Sequence, residues 1–297
     1  MRSMIRTMQL EEFISNSGPD LRGDYSRARA DFTLDQDPAS HTTEEHALWR
    51  RLYARQRRLL PGYAFDAYLE SLAVLDAGDS IPDFEKVSRR LRQATGWEIV
   101  AVPGLIPDRA FFEHLARRRF PVTVWLRSPG EFDYIVEPDV FHDFVGHVPL
   151  LFDSAYADYL QAYGAGGLKA AQLDALKMLA RLYWYTVEFG LIRTPRGLRV
   201  FGAGILSSGG EVLHSIDSPQ PRRVRFELAR ILRTDYRIDR YQDTYFIIDS
   251  FERLVRDTAP DFTALYARLR TLPAYAPDEA APDEAAPDDR LAGTAAA

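Results

Sequence analysis

Apolar residues recur at helical spacing over much of the chain, and short β-rich runs stand between them. Thr42 and Glu45 form a capping-box pair, and the apolar stripe after them predicts a helix that ends at Pro61 and Gly62. Further helices are predicted after that break through residue 75 and over about 84–95, 108–118, 171–192, 223–233 and 251–269, with strands over about 97–102, 121–126, 198–201 and 245–248. The pattern therefore predicts a mainly α fold with a few short β-strands.

The ends of the chain differ from its middle. Residues 1–40 are polar and contain many helix breakers, so we expect an irregular N-terminal arm. Residues 273–297 repeat Ala-Pro-Asp-Glu-Ala, a composition that cannot build a core, and we expect a disordered acidic tail. Residues 41–272 contain no linker-like stretch and are expected to form a single domain.

Composition and charge exclude several classes of protein. An apolar fraction of 46% and a charged fraction of 27% argue against wholesale disorder, and no apolar run approaches the roughly 20 residues of a membrane span. The absence of cysteine excludes disulfides, thiolate nucleophiles and iron–sulfur clusters. The net charge of −6 arises mostly in the tail, so the near-neutral body does not favour nucleic acid as a partner. No secretory signal is present at the start, which predicts a cytoplasmic location.

Two histidines are the most informative polar residues. His142 and His147 lie five residues apart in an apolar run, and the chain has only six histidines. In a regular α-helix this spacing separates the side chains by about 140°, so both bind one ion only if the backbone bends or one histidine lies at a helix edge. The neighbouring Pro138, Gly146 and Pro149 make such a bend plausible. The spacing alone favours a metal site and a pair of core histidines equally.

Glu188 changes this balance, because it is the one formally charged residue between Leu182 and Ile192. Burying its carboxylate without a partner would be costly, so it is interpreted as a salt-bridge partner, a helix-edge residue or a metal ligand. Two neutral imidazoles and one carboxylate form the triad of non-haem Fe(II) oxygenases, and the same donors could hold catalytic zinc. No His-Glu-x-x-His motif occurs, which excludes the commonest zinc-hydrolase helix.

Several motifs in one order resemble the pterin-dependent aromatic amino acid hydroxylases. They are Arg109-x-Phe111 and Arg127, then Glu137-Pro-Asp with His142 and Gly-His147-Val-Pro, then Tyr183-Trp184 with Thr-Val-Glu188-Phe-Gly, then Gly202-Ala-Gly with Leu-Ser-Ser and Glu211. The resemblance spans about residues 30–270 and is closest to the compact bacterial members that act on phenylalanine. It implies that residues 41–272 are a catalytic domain of the aromatic amino acid hydroxylase type. It also implies a monomer, since the tetramerisation helix of the animal enzymes has no counterpart here.

The resemblance implies an Fe(II)- and tetrahydropterin-dependent monooxygenase that uses O₂ to convert L-phenylalanine to L-tyrosine in phenylalanine catabolism. The cofactors would be Fe(II) and tetrahydrobiopterin or a related reduced pterin. The implied roles are His142, His147 and Glu188 as iron ligands; Tyr183 near the iron; Arg127, Pro138, Trp184 and Ser207 at the amino acid substrate; Gly104, Ile106, Phe111 and Asp143 at the pterin; and Glu211 as a hydrogen-bond partner of a ligating histidine.

Other interpretations remain open at this stage. The substrate could be tryptophan or tyrosine, although the apolar run at 246–248 offers no partner for a tyrosine hydroxyl and so favours phenylalanine. The same ligands could serve a zinc-dependent hydrolase. A non-catalytic helical binding module is the third alternative, and it leaves the coincidence of the three segments unexplained.

Overall fold

The computed structural model describes residues 21–280 of the chain, and helices dominate that range. The α-helices are α1 (Thr43–Leu59), α2 (Asp66–Leu75), α3 (Phe84–Ala94), α4 (Asp108–Ala116), α5 (Ser154–Gln172), α6 (Leu176–Tyr183), α7 (Ala203–Leu206), α8 (Gly209–Ile216), α9 (Leu228–Ile231), α10 (Phe251–Thr258) and α11 (Thr263–Leu269). The strands are β1 (Glu98–Val102), β2 (Arg119–Thr123), β3 (Leu191–Thr194), β4 (Gly197–Val200), β5 (Arg222–Arg225) and β6 (Thr244–Ile248). The predicted mainly α fold with a few short strands is confirmed.

The first helix begins where the sequence predicts. The Thr42 hydroxyl accepts a hydrogen bond from the Glu45 amide at 3.1 Å, and the Glu45 carboxylate accepts one from the Thr42 amide at 2.7 Å, which completes the capping box. The buried face of α1 includes Trp49, whose indole nitrogen donates to the Ala77 carbonyl at 2.7 Å. The helix is thereby fixed against the loop that follows α2.

The strands form two small sheets. β1 and β2 pair in parallel, and the second sheet has the order β4-β3-β6-β5. In that sheet β3 and β4 are antiparallel, whereas β3–β6 and β5–β6 are parallel. All five residues of β6 are buried, so this strand forms part of the core.

The longest helix among residues 21–280, α5, was not predicted from the sequence. Its glycines interrupt the apolar pattern, but the packing against α4 requires them. A Cβ on Gly164 would lie 2.5 Å from the Ala116 nitrogen, and one on Gly167 would lie 2.1 Å from the Phe112 ring. The intrinsic cost of glycine in a helix is therefore offset by close contact between two helices.

Four predicted elements are corrected by the structure. The helix expected over 171–192 divides at Asp174, which has a φ of +53°, and again at a π-helical turn before β3. The helix expected over 223–233 begins instead as β5, because Arg222–Arg225 pair with β6. The helix expected over 251–269 divides into α10 and α11 on either side of Pro260. The strand expected over 121–126 lies at Arg119–Thr123.

The described parts of the two ends pack against the body. In the expected arm, Tyr25 and Phe32 are buried, and two short 3₁₀ turns occur; residues 1–20 lie outside the described range. In the expected tail, Tyr275 forms a β-bridge with Thr234, and the Thr244 hydroxyl donates to the Pro277 carbonyl at 2.7 Å. The described contacts thus extend past residue 272, and residues 281–297 lie outside the described range. Among the helices of residues 21–280, none has the length and apolarity needed to cross a membrane.

Candidate metal centre

The three residues proposed as metal ligands converge in the structure. Glu188 lies 3.2 Å from His147 Nε2 through one carboxylate oxygen and 3.6 Å from His142 Nε2 through the other. One ligand atom from each residue lies within 4.8 Å of the other two. Two imidazole nitrogens and a carboxylate oxygen at this separation match the donor set of a divalent transition metal. The side chains present therefore fit an Fe(II) site.

Two π-helical turns bring these ligands together. His142–His147 form one π-helical turn, and Trp184–Glu188 form the other. A π-turn closes its hydrogen bonds over five residues, so His142 and His147 can face the same point although an α-helix would separate them. This π-turn is the backbone bend that the spacing of the two histidines requires if both are to bind one ion. Local π geometry of this kind occurs frequently at functional sites.

Burial affects the protonation of the ligands. It lowers the pKa of His142 to about 4, so this imidazole is neutral at pH 7. Burial opposes the ionisation of Glu188, but His147 and His142 outweigh it and leave the pKa of Glu188 below its usual value. The nearby Tyr183 hydroxyl also helps to lower the pKa of this carboxylate. Neutral imidazole and ionised carboxylate are the forms that bind metal.

Ser207 fixes the orientation of His142. Its hydroxyl donates to the Ala203 carbonyl at 2.9 Å, so the 2.9 Å contact with His142 Nδ1 is one in which the hydroxyl accepts. The proton of His142 therefore lies on Nδ1, and the lone pair of Nε2 points towards Glu188 and His147. The resemblance implies that Ser207 also contacts the amino acid substrate, and that contact stays a prediction.

Glu211, expected as a hydrogen-bond partner of a ligating histidine, has other hydrogen-bond partners among residues 21–280. It is buried, and one carboxylate oxygen accepts hydrogen bonds from the Gln242 amide at 3.1 Å and from the Tyr245 hydroxyl. Burial raises the pKa of Glu211 to about 7. Its hydrogen bonds join α8 to β6 rather than support a ligating histidine, and Ser207 has the role expected of Glu211.

Arg127 forms a buried ion pair that the sequence analysis missed. Its Nε and Nη2 each lie 2.8 Å from an oxygen of Asp139, and the two side chains are 3% and 0% exposed. Asp139 also accepts hydrogen bonds from the amides of Arg127 and His142, both at 2.9 Å. This carboxylate therefore ties the arginine to the start of the first π-turn. Its position directly before the histidine segment, in Glu137-Pro-Asp139, was the available signal.

The residues expected at the pterin lie in the loop after β1, in α4 and in the first π-turn. The Phe111 ring is 5.7 Å from the Tyr183 ring and nearly perpendicular to it. Gly104 leaves no room for a side chain, because a Cβ would lie 2.7 Å from the Arg22 carbonyl oxygen. Ile106 follows it in the same partly exposed loop. Asp143, within the first π-turn, accepts from the Thr123 amide at 2.8 Å, and burial raises its pKa to about 7.

The residues expected at the substrate ring adjoin the two π-turns. Pro138 is partly buried and directly precedes the Asp139 of the ion pair. Trp184 begins the second π-turn and stacks on Tyr236 with ring centroids 4.2 Å apart. Tyr236 lies in a segment that the sequence analysis did not single out.

Comparison with known proteins gives the family. Residues 34–272 match the family described as biopterin-dependent aromatic amino acid hydroxylases. The chain belongs to this family. It is 58% identical over 248 residues to the phenylalanine-4-hydroxylase of Ralstonia nicotianae, which covers 83% of this chain and 79% of the relative. It is 60% identical over 240 residues to that of Chromobacterium violaceum, covering 80% of this chain and 81% of the relative.

Solved structures agree with the sequence relatives. An iron- and phenylalanine-bound crystal structure of the Chromobacterium violaceum enzyme is similar to this chain, with a TM-score of 0.83 and 55% identity over 91% of this chain and 97% of the other. A structure of a Y155A variant of the same enzyme has a TM-score of 0.85 and 56% identity over 90% of this chain and 95% of the other. The predicted family and fold are thereby confirmed.

Proposed function

We propose that this hydroxylase uses Fe(II) to convert L-phenylalanine, O₂ and a tetrahydropterin to L-tyrosine and a hydroxylated pterin, with one oxygen atom of O₂ going to each product. The observation that carries the proposal is the triad of His142, His147 and Glu188 on two facing π-turns. The family and the identity of 58–60% to phenylalanine-4-hydroxylases support the choice of substrate. Iron bound by the triad would activate O₂ together with the reduced pterin. The protein residues bind the reactants, orient them and exclude water.

Arg127 is proposed to hold the carboxylate of the amino acid substrate. Asp139 occupies Nε and Nη2 of the guanidinium, so we assign Nη1 to the substrate. Arg55 lies close enough for the charge of Arg127 to lower its pKa, after the larger effect of burial, and it pairs with Asp133 at 3.3 Å. Pro138 and Trp184 are proposed to contact the aromatic ring.

The pterin is proposed to lie against Phe111. This ring is partly exposed and contacts the Tyr183 ring, and the Tyr183 hydroxyl helps to lower the pKa of Glu188. The backbone of Gly104 and Ile106 is proposed to bond the polar edge of the pterin, with Asp143 beside it. The Tyr25 hydroxyl donates to the Leu105 carbonyl at 2.7 Å and so holds this loop in place.

The test is product formation by metal-stripped protein that is given back either Fe(II) or Zn(II). With Fe(II), a tetrahydropterin and L-phenylalanine, we expect O₂ uptake and tyrosine. With Zn(II), or without the pterin, we expect neither. Glu188→Gln removes the ionised ligand at nearly constant shape and should lose both iron and product. Tyrosine formation by the zinc-loaded protein, or hydroxylation of tryptophan in place of phenylalanine, would contradict the proposal.

Three further statements remain predictions. The catalytic domain is proposed to comprise residues 41–272, and limited proteolysis followed by activity measurement tests this boundary. The protein is proposed to be a monomer, which light scattering tests. The cytoplasmic location is tested by cell fractionation.

A further inference from the structure

Gln242 is a buried amide whose polar groups are all engaged. It is 4% exposed and lies in residues 236–243, the second part of the connection from α9 to β6, which is called the 236–243 loop below. Its Nε2 donates to the carbonyls of Arg237 at 3.1 Å and Arg240 at 3.4 Å. Its Oε1 accepts from the Trp184 indole nitrogen at 2.8 Å. One side chain therefore closes the loop on itself and connects it to the second π-turn.

The Trp184 indole is held from three directions. Gln242 contacts the indole edge, Tyr236 stacks on its face at an angle of 14°, and the Phe189 ring lies 4.7 Å away. Tyr236 belongs to the loop that Gln242 closes. Loss of Gln242 would therefore remove the hydrogen bond to the indole and also loosen the ring stacked on it.

The backbone of Gln242 is anchored independently of its side chain. Its amide donates to Glu211 at 3.1 Å, and its carbonyl contacts His214 Nε2 at 3.1 Å. Glu211 also accepts from the Tyr245 hydroxyl on β6. These contacts fix the Cα of Gln242 against α8 and β6. The side-chain amide is thus presented to Trp184 from a rigid base.

We propose that Gln242 is a positioning residue for substrate binding, which sets the plane of the Trp184 indole and the shape of the 236–243 loop at the pocket for the phenylalanine ring. This inference rests on the proposed function, in which Trp184 contacts that ring. Gln242 acts through Trp184 and has no direct contact with the reacting atoms.

Glutamine suits this position because its amide combines an acceptor and two donor hydrogens. In Gln242→Leu both functions are lost at similar size, and the indole N–H and two loop carbonyls lose their partner. In Gln242→Glu the acceptor for Trp184 remains, but the carboxylate faces the carbonyls of Arg237 and Arg240 without a hydrogen to donate. Gln242→Glu is therefore expected to lie between the wild type and Gln242→Leu.

The experiment measures phenylalanine binding and turnover with iron-loaded full-length protein. Binding is measured by calorimetry without O₂, and turnover gives the KM for phenylalanine, the KM for the pterin, kcat and the tyrosine formed per pterin oxidised. The variants are Gln242→Leu, Gln242→Glu, Trp184→Phe and the double variant of Gln242→Leu with Trp184→Phe. Gln220→Leu, at an exposed turn, is the matched control.

We expect Gln242→Leu to weaken phenylalanine binding and raise its KM by about tenfold, with the pterin KM unchanged and less tyrosine per pterin. In the Trp184→Phe background, Gln242→Leu should raise the KM for phenylalanine by less than about twofold, because the hydrogen bond between residues 184 and 242 is already lost. Gln220→Leu should behave as the wild type.

Two results would overturn the inference: unchanged phenylalanine affinity in Gln242→Leu, or a full, independent effect of that change in Trp184→Phe. If Gln242→Leu fails to fold, Gln242→Glu provides the test. Wild-type phenylalanine affinity together with a wild-type yield of tyrosine in Gln242→Glu would also reject the inference. Failure of the wild type to form tyrosine would instead reject the proposed function.

Discussion

Replacing Ser207 by alanine should weaken iron binding, because the hydroxyl is the acceptor for His142 Nδ1. The His142 side chain is 13% exposed, so water has little access to the N–H that the change leaves without a partner. An unpaired buried donor costs about 1–3 kcal/mol. Without the serine, the imidazole is also free to rotate or to move its proton to Nε2, which removes the lone pair that faces the metal. Changes to such supporting partners lower metal affinity about tenfold to a hundredfold.

The assay for this prediction is competition with a chelator of known Fe(II) affinity, together with thermal unfolding of the metal-free protein. Ser215→Ala is the matched control, because Ser215 is also buried but donates only within α8, to the Val212 carbonyl at 3.0 Å. The expected result is a loss of iron affinity in Ser207→Ala and none in Ser215→Ala. Equal iron affinity in wild type and Ser207→Ala would refute the assigned proton position, and equal losses in both variants would show that the effect is general destabilisation.

Three other changes test the packing and charges around the centre. Gly146→Ala should destabilise the fold by about 1–3 kcal/mol in urea unfolding, because the new methyl would lie 2.9 Å from Ala203 Cβ and from its carbonyl oxygen; full wild-type stability would contradict this. Asp139→Asn should cost about 3–5 kcal/mol in the same measurement, since it leaves the charge of Arg127 buried without its partner. Glu211→Gln tests the pKa of about 7 that burial gives this carboxyl. In the folded protein this carboxyl stays protonated up to about pH 7, whereas in the unfolded chain it loses its proton near pH 4.5. The stability of the wild type relative to Glu211→Gln should therefore fall by up to about 3 kcal/mol as the pH rises from 4.5 to 7. A stability difference that does not depend on pH would refute the raised pKa.

The sequence predicted elements whose signals are local. The capping box at Thr42 and Glu45 is such a signal, since the residues that make it are three apart and need no distant partner. β5 could not be predicted in this way, because Arg222–Arg225 become a strand only by pairing with β6, some twenty residues later. Their sequence, rich in arginine, gives no period-2 pattern. Non-local pairing here outweighs local preference.

The iron ligands were predictable, but their support was only partly so. Histidine spacing and an isolated carboxylate identified His142, His147 and Glu188 as candidates. The residues that hold them in place, Asp139 and Ser207, are ordinary polar residues whose roles depend on what the fold brings beside them. Ser207 was assigned to the substrate, which stays a prediction, and its hydrogen bond to His142 was missed because the two residues are 65 apart in the chain. Hydrogen bonds between distant segments leave no periodic trace in a sequence.

The Gly-Ala-Gly segment explains how the two ligand-bearing turns keep their distance. The sequence identified this segment only as one of the motifs shared with the family. In the structure α7 lies between the turns: Gly146 of the first turn contacts Ala203, and a Cβ on Gly202 would lie 2.4 Å from the Glu188 carbonyl oxygen. The Ala203 carbonyl also accepts the hydrogen bond from the Ser207 hydroxyl. The small residues therefore let α7 set both the spacing between His142 and Glu188 and the orientation of the serine behind the histidine. A larger side chain at Gly202 would push the carboxylate turn away from the histidine turn, so the segment acts on the metal site without supplying a ligand to it.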